Sequence, residues 1–155
     1  MLIPFDFMHS FPSIKEIRDY RKSEENKIEK ERDKIYKKFD KKIDKYIHDL
    51  IFKHIKLCIF EDKSYIEIFI KTEAEYLYNK IVDFNYTRYY YLSYDRKEQI
   101  NKRTSEAIVK ILYELLEKGY KISYYKNNYG SSDFINFDNS YKYDPDIFVF
   151  KIEIY

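Results

Sequence analysis

The sequence contains few of the residues that interrupt secondary structure or cross-link a chain. Its 155 residues include 2 glycines, 3 prolines, 1 cysteine and no tryptophan. The single cysteine, Cys58, excludes an intramolecular disulfide and fits a reducing, intracellular compartment. Neither Gly119 nor Gly130 belongs to a glycine-rich turn before a helix, so a phosphate-binding loop is excluded.

Long apolar runs and an excess charge of one sign are also missing. No segment approaches the roughly 18 apolar residues needed to span a bilayer, and the N-terminus lacks the basic start of a signal peptide. The 29 basic and 27 acidic residues give a net charge of +2, which is too balanced to predict a polyanionic partner. We expect an intracellular protein without a membrane partner.

Aromatic residues, in contrast, are abundant, with 19 tyrosines and 12 phenylalanines. Together with the many Lys, Ile and Asn residues they have A/T-rich codons, so nucleotide bias accounts for much of the enrichment without any function. Hydrophobic residues make up 45% of the chain, which predicts one folded domain over residues 1–155. We expect residues 1–12 to form an apolar N-terminal arm around Phe5, Phe7 and Phe11.

A long helix is predicted over residues 13–56. Ser13 and Glu16 have the spacing of a capping box, and apolar residues then recur at helical spacing, with Ser23 as a candidate break. The first half contains little besides charged residues around Ile28. We therefore expect that half to project into solvent or meet a partner, while the second half packs on the body.

Two more helices and several strands are predicted after it. Residues 57–70 indicate a strand or hairpin. Thr72 with Glu75, and Asp95 with Glu98, are capping boxes that begin the second and third helices. The third helix carries an apolar stripe and ends at Gly119, a C′ position. The predicted buried residues of the two helices are Ala74, Leu77, Tyr78, Ile81, Val82, Ile100, Ala107, Ile108, Ile111, Leu112 and Leu115.

The C-terminal third indicates strands over residues 120–126, 134–137 and 147–155. In the last strand, alternation places Phe148, Phe150, Ile152 and Ile154 on the core face. The whole order predicts an α+β fold: a long N-terminal helix, a mainly antiparallel sheet of four to six strands, and two further helices packed on one face of the sheet.

Two local patterns resemble those of a known group of proteins. The first is a Ser-x-x-Glu-x-Arg helix start, matched by Ser13, Glu16 and Arg18, and the second is a helix-Gly-Tyr-strand step, matched by Gly119 and Tyr120. Both resemble a loose group of small, uncharacterised α+β proteins encoded by large DNA viruses and phages. The resemblance implies a viral type of protein and this fold, but no chemistry. Residues 71–95 look like an insertion relative to the group.

Residues that could carry catalysis are not clustered in the sequence. His54 and Cys58 share a helical face, but His48 lies about 240° around the helix from His54. No serine has the glycine-flanked context of a nucleophile, and Asp144 and Asp146 flank a proline, which indicates a turn. We expect no enzyme, no cofactor and no metal site.

Two functions remain open. The first is a non-enzymatic structural or protein-interaction protein that self-associates through the long helix, since tyrosine and exposed apolar residues favour interfaces. The second is a nucleic-acid-associated protein that uses the lysines of that helix, although Asp40 and Asp44 interleave with them. The candidate surface combines this helix with the tyrosine-rich segment "FNYTRYYYLSYD", itself predicted to be a half-buried connector: Ile28, Lys34, Lys38, Lys41, Lys45, Arg88, Tyr89, Tyr90 and Tyr91.

Overall fold

The predicted α+β class is confirmed by the computed structural model, which describes residues 11–82, 88–127 and 133–154. Most of the predicted N-terminal arm, residues 1–10, lies outside the described residues, as do Phe84 to Thr87 of the tyrosine-rich segment. The elements are, in chain order, α1 (Ile14–Glu61), β1 (Tyr65–Phe69), α2 (Ile70–Val82), a 3-10 helix (Tyr89–Tyr91), α3 (Tyr94–Glu117), β2 (Lys121–Lys126), β3 (Phe134–Asn136) and β4 (Ile147–Glu153).

The chain divides into two compact units, residues 1–37 and 38–155. In the first unit α1 begins as predicted, because the Glu16 backbone N–H donates to Ser13 Oγ at 3.1 Å. The helix continues through Ser23 without a break. None of the described residues of this unit is buried. That residues 1–155 form a single domain stays a prediction.

In the second unit α1 buries one stripe of its surface, formed by Phe39, Ile43, Ile47, Ile51, Ile55 and Cys58. The predicted helix end at residue 56 and the extended segment at Leu57–Phe60 are wrong, because the helix continues to Glu61. The second part of the predicted strand or hairpin is found as β1. The helical spacing of its buried residues extends to Cys58, and no glycine or proline intervenes. Asp62 then takes a left-handed φ of 55°, and the Lys63 N–H donates to the Cys58 carbonyl.

The four strands form one antiparallel sheet in the order β1-β4-β2-β3. One side of the sheet is buried, and its core residues are Ile66, Ile68, Ile122, Phe150 and Ile152. Helix α2 contacts β1 and β4, and α3 contacts β2. The other side of the sheet therefore remains as a candidate surface.

The predicted alternation of β4 holds for only part of the strand. Phe150 and Ile152 are fully buried as expected, but Phe148 is 43% exposed, while its neighbours Ile147 and Val149 are buried. The register with β2 shifts opposite Tyr125 and Lys126. Such a β-bulge inserts an extra residue and reverses the alternation, which turns Phe148 away from the core face.

Helices α2 and α3 have the buried stripes that the sequence predicts. Every residue predicted to be buried in these two helices is buried. Helix α2 begins at Ile70, before the predicted capping box at Thr72, because β1 leads into it directly. Helix α3 is capped by Ser93, whose Oγ accepts from the Arg96 N–H at 3.4 Å, so the predicted cap at Asp95 is wrong and Asp95 lies in the first turn. Gly119 has the left-handed φ of 94° expected at C′.

Candidate interaction surfaces

The outer side of the sheet carries aromatic side chains on all four strands. Alternation leaves Tyr65 and Phe69 of β1 pointing away from the core, and Tyr125 of β2 and Phe134 of β3 lie opposite each other on the same side. The bulge adds Phe148 of β4. We call these five residues the aromatic face. Apart from Tyr125, which is partly buried, they are between 42% and 49% exposed.

Four of the five rings of the aromatic face contact one another across the strands. Phe148 lies 6.1 Å from Phe69 and 6.5 Å from Tyr125, measured between ring centres. Tyr125 in turn lies 6.2 Å from Phe134. The rings meet at angles of 57° to 88°, an arrangement that aromatic pairs favour. They form a connected apolar layer rather than scattered exposed residues.

Lys151 completes this layer. Its Nζ atom lies 4.6 Å from the ring centre of Tyr65 and 5.5 Å from that of Phe134, which is the range of cation–π attraction. Glu153 Oε1 lies 3.7 Å from the same ammonium group. Glu67 lies opposite Lys151 in the β1–β4 register. With Lys121 opposite Glu153 in the β2–β4 register, the outer side carries two positive and two negative side chains.

The lysines predicted as part of the candidate surface are all exposed. Lys38, Lys41 and Lys45 lie in the second unit at spacings of three and four, which places them on one side of α1. Lys34 belongs to the first unit, as does Ile28, which is the exposed apolar residue predicted there.

Arg103 of α3 binds the two carboxylates that interleave with these lysines. Its Nε donates to Asp40 and its Nη2 donates to Asp44 Oδ2 at 3.2 Å. Nη2 also donates to the Asp40 carbonyl at 3.2 Å. The Arg103 side chain is only 17% exposed. Burial acts to lower its pKa, but hydrogen bonds and charge from Asp44 and Asp40 raise it, so the cation is held in place between the helices.

The tyrosine-rich segment is divided between core and surface. Tyr89 is only 3% exposed, so its prediction as a surface residue is corrected. Its hydroxyl donates to Asn101 Oδ1 at 2.7 Å, and its N–H donates to Asn79 Oδ1 at 2.9 Å. Two neighbours, Tyr90 and Tyr91, are about three-quarters exposed, and Arg88 is exposed as well. Sequence alternation could not find this split because residues 89–91 form a 3-10 turn.

Two of the residues considered for catalysis, His54 and Cys58, lie near backbone carbonyl groups. His54 Nδ1 lies 2.7 Å from the Leu50 carbonyl; since a carbonyl only accepts, this nitrogen carries the proton. Cys58 is buried, with its Sγ 3.7 Å from the Tyr65 carbonyl. Across the described ranges, no group of three His, Cys, Asp or Glu residues is arranged to hold a metal ion.

The aromatic face is the surface that sequence patterns missed. Tyr65 and Phe69 alternate with Ile66 and Ile68, so strand periodicity gives two of its members. The other three members, Tyr125, Phe134 and Phe148, can be assigned to this face only when the strand order and the bulge at Phe148 are known.

Comparisons of the chain with family models, with curated proteins and with solved structures found no match. None of the helices in the described part of the chain is long and apolar enough to cross a membrane.

Proposed function

We propose that this protein is a non-enzymatic interaction protein that binds a second copy of itself through the aromatic face. The observation that carries the proposal is the aromatic face, in which four rings contact one another and Tyr65 joins them through Lys151. An antiparallel sheet with one solvated side normally presents polar residues there. Exposed apolar patches of this kind mark interaction sites.

Charge favours a second copy as the partner. The outer side of the sheet pairs Glu67 and Glu153 with Lys121 and Lys151, so its net charge is zero. A balanced face gives no general attraction to a polyanion or to a strongly charged protein. In a two-fold contact the same patch meets itself, and each glutamate can then approach a lysine of the other copy while the aromatic rings are buried together.

The size of the aromatic face limits the affinity that we expect for the dimer. Strands lie about 4.8 Å apart and rise about 3.4 Å per residue, so the patch is small beside specific interfaces, which bury roughly 1,200–2,000 Å². We expect a weak dimer with a dissociation constant of about a micromolar or above. Its population should depend on protein concentration.

The test is the molar mass of the purified protein across a dilution series, measured by sedimentation velocity or light scattering. We expect Phe134→Glu and Tyr65→Glu each to abolish the dimer, because both side chains are on edge strands and a buried unpaired carboxylate is costly. Tyr76→Glu, an exposed aromatic residue on α2, is the matched control and should leave the dimer intact.

Two results would contradict the proposal. One is a wild-type monomer at every concentration. The other is loss of the dimer in Ile28→Glu but not in Phe134→Glu, which would move self-association to the exposed part of α1, where the sequence first suggested it. Circular dichroism of each variant separates loss of association from loss of fold.

Nucleic-acid binding through α1 is the second candidate function. It is favoured by one observation: Arg103 pairs with Asp40 and Asp44, so its positive charge offsets one of the two negative charges beside the lysines. Lys38, Lys41 and Lys45 then present a basic row. Three phosphate contacts predict that log K falls with log salt with a slope of about −2 to −3.

Fluorescence anisotropy with labelled DNA and RNA, single- and double-stranded, tests this candidate at several salt concentrations. We expect the triple variant Lys38→Gln, Lys41→Gln, Lys45→Gln to lose binding and its salt slope. A triple control on α3 and its C-cap, with Lys102, Lys110 and Lys118 changed to Gln, removes the same charge and should bind nearly as before. Equal losses in both variants would mean non-specific attraction only.

A further inference from the structure

The tyrosine-rich segment presents two neighbouring aromatic rings to solvent. Tyr90 and Tyr91 are each about three-quarters exposed, and their ring centres lie 5.3 Å apart with the ring planes at 89°. In a perpendicular pair the edge of one ring meets the face of the other. The pair therefore covers at most one ring face, and the other faces remain for a cation or for a flat partner.

The turn that carries these rings is anchored to the core. The Tyr91 N–H donates to the Arg88 carbonyl at 2.9 Å, which closes the turn. Tyr89, in the same turn, is buried and hydrogen-bonds to Asn79 of α2 and Asn101 of α3. The backbone beneath the two rings is thus ordered before any partner binds, and a preorganised site loses less entropy on binding than a flexible one.

Two cations lie in the same turn or beside it. The Lys97 Nζ atom lies 5.6 Å from the ring centre of Tyr90 and 5.8 Å from that of Tyr89, within the range of cation–π attraction. Arg88 directly precedes the three tyrosines and is exposed. Neither cation forms an ion pair with any residue in the described ranges, so both are available to an anion.

Acidic residues nearby reduce this positive charge without cancelling it. Residues 88–98 contain three basic side chains and two acidic ones, Asp95 and Glu98. The local net charge is therefore positive by one. Such a surface attracts phosphate weakly through charge alone, so a partner that binds here must also use the rings.

Rings and cations together have the chemistry that recognises single-stranded nucleic acid. Proteins bind single strands without reading their sequence when bases stack on exposed aromatic side chains and cations contact the phosphates. We propose that Tyr90 and Tyr91 each stack on a base of a single strand, while Lys97 and Arg88 contact its phosphates. An uncharged carbohydrate could also stack on the rings, but it would leave both cations unused. This site does not depend on the basic row of α1.

The experiment measures binding of the full chain to labelled strands by fluorescence anisotropy at low salt. One strand is oligo-dT of about 12 nucleotides, and the other is an abasic strand of the same length, which keeps the phosphates but offers no base. We expect the dT strand to bind at least about tenfold more tightly than the abasic strand, because stacked bases contribute this much. Equal affinities, or no binding of the dT strand up to about 1 mM, would overturn the proposal.

Variants locate the strand at these two rings. Tyr90→Leu and Tyr91→Leu keep an apolar side chain but remove the ring, so each should weaken dT binding about tenfold, whereas Tyr90→Phe should bind as the wild type does. Tyr76→Leu is the matched control, because Tyr76 is an exposed tyrosine on α2 with Lys80 Nζ 5.7 Å from its ring centre. Its affinity should not change. Equal losses in Tyr76→Leu and Tyr90→Leu would contradict the assignment.

The triple lysine-to-glutamine variant of the basic row separates this site from the second candidate function. We expect it to keep the preference for the dT strand over the abasic strand, because that preference comes from the rings. Loss of the preference in the triple variant but not in Tyr90→Leu would place single-strand binding on α1 and overturn the assignment to the tyrosines.

Discussion

At the scale of single residues, Arg103 determines how much negative charge α1 presents to solvent. In the sequence, Asp40 and Asp44 stand among lysines and suggest a self-neutralised helix. In the fold, both carboxylates turn toward one guanidinium group on α3. Arginine suits this position because its planar fork can donate to two carboxylates and a carbonyl at once, whereas lysine is a point charge.

Replacing Arg103 should therefore cost stability in proportion to the hydrogen bonds lost. Arg103→Met removes all of them; since the two carboxylates are about half exposed, we expect a loss of about 1–2 kcal/mol in the free energy of unfolding. Arg103→Lys should lose about half as much. Urea denaturation at low and high salt measures both.

Arg32→Met is the matched control for this prediction. Arg32 pairs with Glu29 at 2.9 Å, but both side chains are about half exposed. An exposed pair three residues apart on a helix contributes about 0.5 kcal/mol or less. Equal losses in Arg32→Met and Arg103→Met would contradict the role assigned to the interhelical pair.

At the scale of elements, the start of α1, the end of α3 and the buried stripes of α2 and α3 were predicted from sequence, whereas the end of α1 and the start of α2 were not. Ser13 and Gly119 mark helix ends through local interactions. The Ser13 hydroxyl accepts a hydrogen bond from the Glu16 N–H, and the left-handed backbone of Gly119 ends α3. Such signals need no tertiary structure. The strand predicted at Leu57–Phe60 is wrong because a short apolar run fits both helical and strand periodicity. The buried stripe of α1 extends to Cys58, so this segment is helical.

Gly119→Ala tests the predicted helix end of α3. Its φ of 94° lies in the region that residues with a Cβ atom avoid, although nothing within 4 Å would meet the added methyl group. The cost should therefore be backbone strain alone, about 1 kcal/mol in the free energy of unfolding. Lys118→Ala is the control, because Lys118 has a φ of −90°, and it should change stability little. Chemical denaturation that gives equal effects would exclude strain as the cause.

At the scale of the whole molecule, the aromatic face could not be predicted because its members are distant in sequence. Tyr65 on β1 and Phe134 on β3 belong to the two edge strands of the sheet. Both rings lie near the ammonium group of Lys151, which projects from the inner strand β4. The bulge then adds Phe148, which alternation alone assigns to the core. Buried stripes within one helix are local patterns, but a surface that crosses four strands depends on sheet order and register.

The many tyrosines should make the folded state sensitive to alkali. Burial is the main cause that raises the pKa of Tyr89, Tyr113, Tyr141 and Tyr143. An unfolded tyrosine ionises near pH 10, so above that pH the unfolded state binds fewer protons than the folded state. The stabilising contribution of these phenols is complete below about pH 10 and is lost as pH rises through their folded pKa values.

We expect the urea midpoint to fall steeply between about pH 10 and pH 12, since the Tyr143 pKa is about 12. Tyr143→Phe cannot ionise in either state, so its curve should fall less steeply over this range, whatever its stability at neutral pH. Lys126, whose pKa is raised by its hydrogen bond to Asp144, acts in the same direction in both proteins and does not affect the comparison. Parallel curves for wild type and Tyr143→Phe would show that the buried phenol does not control alkaline unfolding.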